Sequence, residues 1–230
     1  MNLLLASTST VHGSPYLSYL SAEWIEHFSG RMVVFVPYAR PMGMSWDAYT
    51  QIPKSVMAAA GIELRGVQEF SSPAEAARQA EGWFAGGGNT FVLRRSLRET
   101  GLEPLLDESV RNGTPYMGSS AGINIAGPSI GTTNDMPIVE VPTLQAMAWL
   151  PFNLNPHYLD AQPGGSHMGE TREQRIAEFH AFHSQPVVGL REGSWLTSNG
   201  IEHQLCGPHS ARIFNPGQAA VECPPGPLRF

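Results

Sequence analysis

The segment Gly118-Ser119-Ser120-Ala121-Gly122 sets two hydroxyls among small residues, directly after one apolar stretch and directly before another. It fits the pattern G-x-S-x-G with Ser120 at the centre. In that pattern a sharp strand-to-helix turn folds the backbone close to itself, so only small residues fit beside the serine. The product is a hydroxyl at a helix N-terminus beside unbonded N–H groups, suited to attack on a carbonyl. Glycine and serine also cluster in ordinary turns, so the pattern alone leaves both readings open. By the same pattern, the Ser119 side chain points elsewhere.

A second glycine run, Gly86-Gly87-Gly88-Asn89, ends an earlier apolar stretch. Consecutive glycines let backbone amides face a ligand with no Cβ in the way. The N–H groups of Gly88 and Ala121 are therefore candidates for an oxyanion hole. Asn89 reads in two ways, as the N-cap of the following helix or as a side chain that contacts substrate.

A serine nucleophile needs a base, and the chain has eight histidines. His157 follows "FNLNP", an expected strand end where Pro156 restricts the backbone. His167 lies in the glycine-rich "GGSHMGE", which a surface loop also explains. His180 and His183 share a helix with Glu178 at a spacing a metal can use, but a half-exposed helix face accounts for them as well. His12, His27, His203 and His209 carry no supporting signal. Spacing alone does not choose. Two carboxylates compete to orient the imidazole: Asp135 in "TTNDMP" and Glu192 in "GLREGSW". A chain order of Ser, His, Glu differs from the Ser, acid, His order of α/β-hydrolases.

The elements that must position these groups alternate. Leu3–Ala6, Gly82–Ala85, Val187–Leu190 and residues 32–38 and 116–118 read as strands, with 63–67 extended. Pro73–Gln79, Thr90–Glu99, Leu102–Arg111 and residues 46–60, 121–126 and 172–182 read as helices. Residues 32–38 are apolar on both parities, as in a strand covered on both faces. The alternation predicts an α/β fold, a three-layer arrangement with a mostly parallel sheet flanked by helices, with short antiparallel strands at the end. Ligands of such sheets sit beyond the carboxyl ends of the strands, where both glycine runs fall. No linker divides the chain, so residues 1–230 are expected to form a single catalytic domain.

Composition narrows the function. A hydrophobic fraction of 42% with 15% charged residues is that of a globular protein with a core. The net charge is −6, and the thirteen arginines and single Lys54 are scattered. No basic stripe exists to neutralise phosphates, so no nucleic-acid partner is expected. A small anionic substrate requires a local cation. Cys206 and Cys223 lack metal-type spacing and suit a reducing compartment. "MNLLLASTST" has no basic leader region and is too short in apolar length to span a bilayer, so a cytoplasmic protein with no membrane partner is expected.

Taken together, "GGGN", "GSSAG", "TTNDMPIV", "NPHY", "GETREQRI" and "GLREGSWL" run in order over nearly the whole chain and resemble peptidase E, a family of cytoplasmic α-aspartyl dipeptidases. The resemblance implies a flavodoxin-like fold related to class I glutamine amidotransferases, and removal of N-terminal aspartate from dipeptides. It implies Ser120 as nucleophile, His157 as base, and Gly88 with Ala121 as oxyanion hole. Asp135 and Glu192 both match positions given to the acid, with Asp135 alternatively holding the substrate's α-ammonium. Arg172 in "GETREQRI" is the candidate cation for the substrate β-carboxylate, because a guanidinium binds a carboxylate through two parallel hydrogen bonds. Its local alternatives are pairing with Glu170 or Glu173, or capping the helix. No cofactor or metal is expected, and the chain is expected to act as a monomer or homodimer. Two positions depart from the family pattern: Gly131 stands where a basic residue is common, and Ser119 where a bulkier one is. Rival functions are a hydrolase of β-aspartyl or cyanophycin-type bonds, and an inactive protein that binds aspartyl peptides. A glutamine amidotransferase would carry cysteine at position 120.

Overall fold

Five short strands, β1 (Leu3–Ala6), β2 (Val33–Val36), β3 (Leu64–Gly66), β4 (Gly82–Ala85) and β5 (Tyr116–Ser119), pair in parallel in the order β3-β2-β4-β5-β1. The computed structural model describes residues 1–40, 43–161 and 169–230. Every residue of β1, β2, β4 and β5 is buried, as their unbroken apolar or small-residue runs require. Alternate side chains serve opposite faces. Leu3, Leu5, Val34, Val36 and Trp83 pack with residues of α3 (Pro73–Gln79), α4 (Thr90–Glu99) and α5 (Leu102–Arg111). Leu4, Ala6, Val33, Phe35 and Phe84 pack with α1 (Ser21–Phe28) and α2 (Trp46–Ala58). Each fully buried large side chain contributes about 1.5–3 kcal/mol.

After β5 the chain turns through the short helix α6 (Ala121–Asn124) and builds a second sheet. There β6 (Asn153–Pro156) and β7 (Val187–Leu190) run parallel, joined through α7 (Arg172–His180). The strands β8 (Trp195–Ser198), β9 (His203–Cys206) and, at the end of the chain, β12 (Gly226–Pro227) extend the first sheet antiparallel beyond β1, completing eight strands. Between β9 and β12, β10 (Ala211–Phe214) and β11 (Val221–Cys223) pair antiparallel to complete the four-stranded second sheet. Leu154, Val188, Leu190 and Ile213 of this sheet share one buried cluster with Leu3 and Leu5 of the first.

The fold is α/β with a large mixed sheet flanked by helices, parallel through β1–β5 and antiparallel beyond. The second sheet is not visible in the sequence pattern, which placed all strands in one. The expected strand over 32–38 stops at Val36, before Pro37, which cannot donate to a ladder. The helix expected over 46–60 ends at Ala58 and carries Pro53 inside, and that over 172–182 ends at His180. The helix expected over 121–126 ends at Asn124. Helix α1 was not among the expected elements, and its first turn has no capping side chain to announce it. Among the described residues, no helix is long and apolar enough to cross a membrane. His167 lies outside the described residues.

Candidate active site

Because β1, β5 and β4 are neighbours, their carboxyl ends deliver Ser7, Ser120 and Gly86–Gly88 to one edge. Ser120 sits at φ 52° and ψ −111°, between β5 and α6. A non-glycine residue there carries about 1–3 kcal/mol of strain, which the surrounding structure must offset. It does so with two backbone bonds: Ser120 N–H donates to the Ala6 carbonyl at 3.1 Å, and its carbonyl accepts from Ile123 N–H at 2.9 Å. The flanking glycines are steric necessities. A Cβ on Gly118 would stand 2.6 Å from the Gly122 carbonyl oxygen, and one on Gly122 would collide with the Ala85 carbonyl. Ser119 is fully buried, so its hydroxyl is not offered to a substrate.

The second sheet supplies the partners of Ser120. His157 Nε2 lies 2.9 Å from Ser120 Oγ, and His157 Nδ1 lies 2.6 Å from Glu192 Oε1. His157 and Glu192 follow the carboxyl ends of β6 and β7, two strands in parallel register. His157 also has a positive φ, 53°. Its backbone is held there by Ser7, whose buried hydroxyl accepts from His157 N–H at 2.9 Å and donates to the Leu190 carbonyl at 2.7 Å. One hydroxyl at the end of β1 thus ties the two sheets together beside His157. The arrangement of hydroxyl, imidazole and carboxylate is that of a nucleophile, a general base and an orienting acid.

Facing Ser120 is the glycine run. A Cβ on Gly87 would stand 3.1 Å from Ser120 Cβ, and one on Gly88, at φ +144°, would collide with the Ala39 carbonyl. Neither the Gly88 nor the Ala121 N–H has a backbone or side-chain acceptor among the described residues.

Asp135 stands elsewhere. Its Oδ2 accepts from Thr90 N–H at 2.7 Å, Thr90 Oγ1 at 2.6 Å and Thr133 Oγ1 at 3.1 Å, at the N-terminus of α4. The helix dipole favours a carboxylate there. The imidazole is bonded to Glu192, while Asp135 is bonded to Thr90 and Thr133. Asn89 is likewise committed: Oδ1 caps α4 by accepting from Val92 N–H at 3.1 Å, and Nδ2 donates to the Met136 carbonyl at 2.9 Å. Both ends of the Asn89 side chain thus bond protein, and Nδ2 ties the start of α4 to the segment that carries Asp135.

Arg172 opens α7, and the local alternatives for it are taken by others. Thr171 makes the cap, Glu170 pairs with Arg175 at 3.6 Å, and Glu173 with Arg212 at 3.5 Å. Partial burial and the neighbouring Arg175 cation hold the Arg172 guanidinium below its usual range, while the Asp135 carboxylate acts the opposite way. Asp135 and Arg172 are therefore close enough to feel each other's charge. Gly131 packs under the same helix: a Cβ there would stand 3.2 Å from the Phe179 ring. The histidines of α7's end have structural partners: His180 bonds the Gln185 carbonyl at 3.0 Å, and His183 stacks on Phe179 at 4.3 Å. Sequence reading missed Ser7, Thr90 and Thr133. For Ser7 the available signal is its place directly after an expected strand, at the edge where ligands collect.

Residues 3–206 match the model of peptidase family S51. The chain is 47% identical over 224 residues to Peptidase E of Streptomyces coelicolor, covering 96% of this chain and 90% of that protein. It is 42% identical over 228 residues to a Drosophila melanogaster protein named "Probable alpha-aspartyl dipeptidase", covering 97% and 94%. The crystal structure of a peptidase from an acI-B1 Actinobacterium shares the fold, with a TM-score of 0.68 over 96% of both chains at 15% identity. A match of this extent, together with a serine, histidine and glutamate in hydrogen-bonded succession, places the chain in peptidase family S51.

Proposed function

We propose that this protein is a serine exopeptidase that hydrolyses dipeptides with an N-terminal aspartate. The observation that carries the reading is the unbroken relay from Glu192 through His157 to Ser120, at 2.6 and 2.9 Å. The names of the relatives, peptidase E and alpha-aspartyl dipeptidase, supply the substrate class.

Ser120 Oγ attacks the carbonyl of the Asp-Xaa bond while His157 Nε2 takes its proton. Glu192 holds the ring and balances the imidazolium that forms. The Gly88 and Ala121 N–H groups receive the oxyanion of the tetrahedral intermediate. When the C–N bond breaks, His157 returns the proton to the leaving amine. Water then enters, His157 takes one of its protons, and collapse frees aspartate and regenerates the Ser120 hydroxyl. Asp135 binds the substrate α-ammonium: Oδ2 already takes three donors, which leaves Oδ1 to receive the cation. Arg172 reads the β-carboxylate. The two free cysteines agree with a cytoplasmic setting, and the chain acts as one domain.

Covalent trapping tests the reading. A phosphonate analogue of aspartate, followed by peptide mapping, is expected to label Ser120. Label on Ser119, or none, removes Ser120 as nucleophile. Paired assays with α- and β-aspartyl dipeptides are expected to show turnover of the α-linked substrate. Preference for the β-linked one, or tight binding without turnover, would replace the substrate assignment.

A further inference from the structure

Tyr49 bears on the site from behind, without facing the nucleophile. It lies on α2, is 1% exposed, and packs edge-on against Phe35 with centroids 5.1 Å apart. Its O–H donates to the Gly87 carbonyl at 3.0 Å. The peptide that joins Gly87 to Gly88 is trans and planar, so a carbonyl fixed on one side sends the N–H to the other. We propose that Tyr49 is the positioning residue of the oxyanion hole, holding the Gly87–Gly88 peptide plane so that the Gly88 N–H stays aimed at the developing oxyanion. The inference rests on the assignment of Gly88 as oxyanion donor made above.

Three observations support it. The glycine run has no side chains of its own to lock its peptide planes, and glycine populates both signs of φ readily. Orientation must therefore come from outside the run. Secondly, each glycine makes room for a different neighbour. A Cβ on Gly86 would collide with the Tyr49 hydroxyl, one on Gly87 would crowd Ser120, and one on Gly88 would strike the Ala39 carbonyl. The first glycine is thus explained by the clamp and not by the substrate. Thirdly, burial pushes the phenol above its ordinary range against the opposite pull of the Arg40 guanidinium 4.7 Å over the ring, so the hydroxyl remains a donor at neutral pH. Donation to the carbonyl also polarises the N–H at the far end of the same peptide. Packing alone asks only for the ring.

An oxyanion donor acts in the transition state and not in the ground state, which sets the expected signature. In Tyr49→Phe, kcat on Asp-Leu is expected to fall about tenfold, a fraction of the ~10²–10³ that removal of a whole donor costs, with KM within about twofold. Labelling of Ser120 by the aspartyl phosphonate should slow by the same factor. Placing a ring-fluorinated tyrosine at position 49, a stronger donor of nearly the same shape, is expected to keep kcat at or above the wild-type value. Wild-type kcat and labelling rate in Tyr49→Phe would overturn the proposal. So would a rise in KM with kcat unchanged, or a loss in the fluorinated protein as large as in Tyr49→Phe, which would mark a packing role. If Tyr49→Phe does not fold, the fluorinated protein decides: kcat held at or above the wild-type value supports the proposal, and a fall in kcat overturns it. Wild-type protein that leaves Ser120 unlabelled overturns the nucleophile assignment, and this inference with it. Wild-type labelling with an unaffected Tyr49→Phe overturns the inference alone.

Discussion

Pro156 and Leu190 stand opposite each other in the parallel ladder of β6 and β7, and the chain beyond each delivers His157 and Glu192 to a 2.6 Å contact. Parallel pairing sends both strands out at the same edge, so strand register fixes the separation of His157 and Glu192 before any side-chain bond forms. Tyr158 N–H extends the ladder by one more bond, to the Leu190 carbonyl at 3.1 Å. Arg191, between Leu190 and Glu192, pairs with Asp160 at 2.7 Å and Glu222 at 2.8 Å. Those two carboxylates raise the Arg191 guanidinium further above its already basic range. The arginine thereby joins the Glu192 segment to the segment that follows His157.

This geometry separates two carboxylates that the chain's spacing leaves equivalent. Glu192→Gln keeps the shape and loses the charge that balances the imidazolium. It is expected to lower kcat by about 10²-fold or more, with KM changed little, since the comparable change in a buried triad reaches about 10⁴. The Glu192 side chain is 47% exposed, so water replaces part of the loss. Asp135→Asn is expected to do the reverse, raising KM for Asp-Leu more than it lowers kcat. Steady-state kinetics of the two variants check the assignment, and an exchange of the two patterns would return Asp135 to the relay.

Arg172 tests the selectivity. Arg172→Ala is expected to cut kcat/KM for Asp-Leu at least about tenfold more than for Ala-Leu, the loss of a charge-assisted pair being worth about 1.5–3 kcal/mol. Arg172→Lys should recover part of it, because an ammonium supplies the charge without the paired geometry. Equal losses on both substrates would show that Arg172 holds α7 in place and reads nothing.

Much of this was legible before the structure. Ser120, His157 and the Gly86–Gly88 run each follow a strand, and strand ends are where an α/β sheet collects its chemistry. Gly118 and Gly122 advertise the elbow because no side chain fits there. The contact of His157 with Glu192 was not legible, because it depends on β6 and β7 forming a sheet apart from the first. Nothing in a four-residue buried run says which sheet it will join. Ser7 was hidden for a related reason: its two bonds cross 150 and 183 residues of chain, and local pattern carries no trace of them. Asn89 carried two readings, and only the placement of Met136 beside it showed that both ends of its side chain were in use.

Away from the site, His27 sets a pH limit on stability. It is half-buried on α1, stacks edge-on against Phe28 at 4.8 Å, and its Nε2 lies 3.2 Å from the Tyr116 carbonyl. The crowding of protein around the ring lowers its pKa to about 4, more than the carbonyl raises it. An unfolded chain protonates this histidine below about pH 6.5. The folded site resists until about pH 4, so the unfolded state binds more protons in between. Stability rises with pH across that window. What His27 contributes at neutral pH is therefore lost as pH falls through it, by on the order of 2 kcal/mol once its remaining exposure is allowed for. His27→Gln retains an N–H for the carbonyl and cannot titrate. Urea unfolding of both proteins from about pH 7 down to about pH 4.5 is expected to show a shallower decline for the variant. Carboxylates act equally on the two, so the difference in slope belongs to His27, and parallel declines would remove it as the cause.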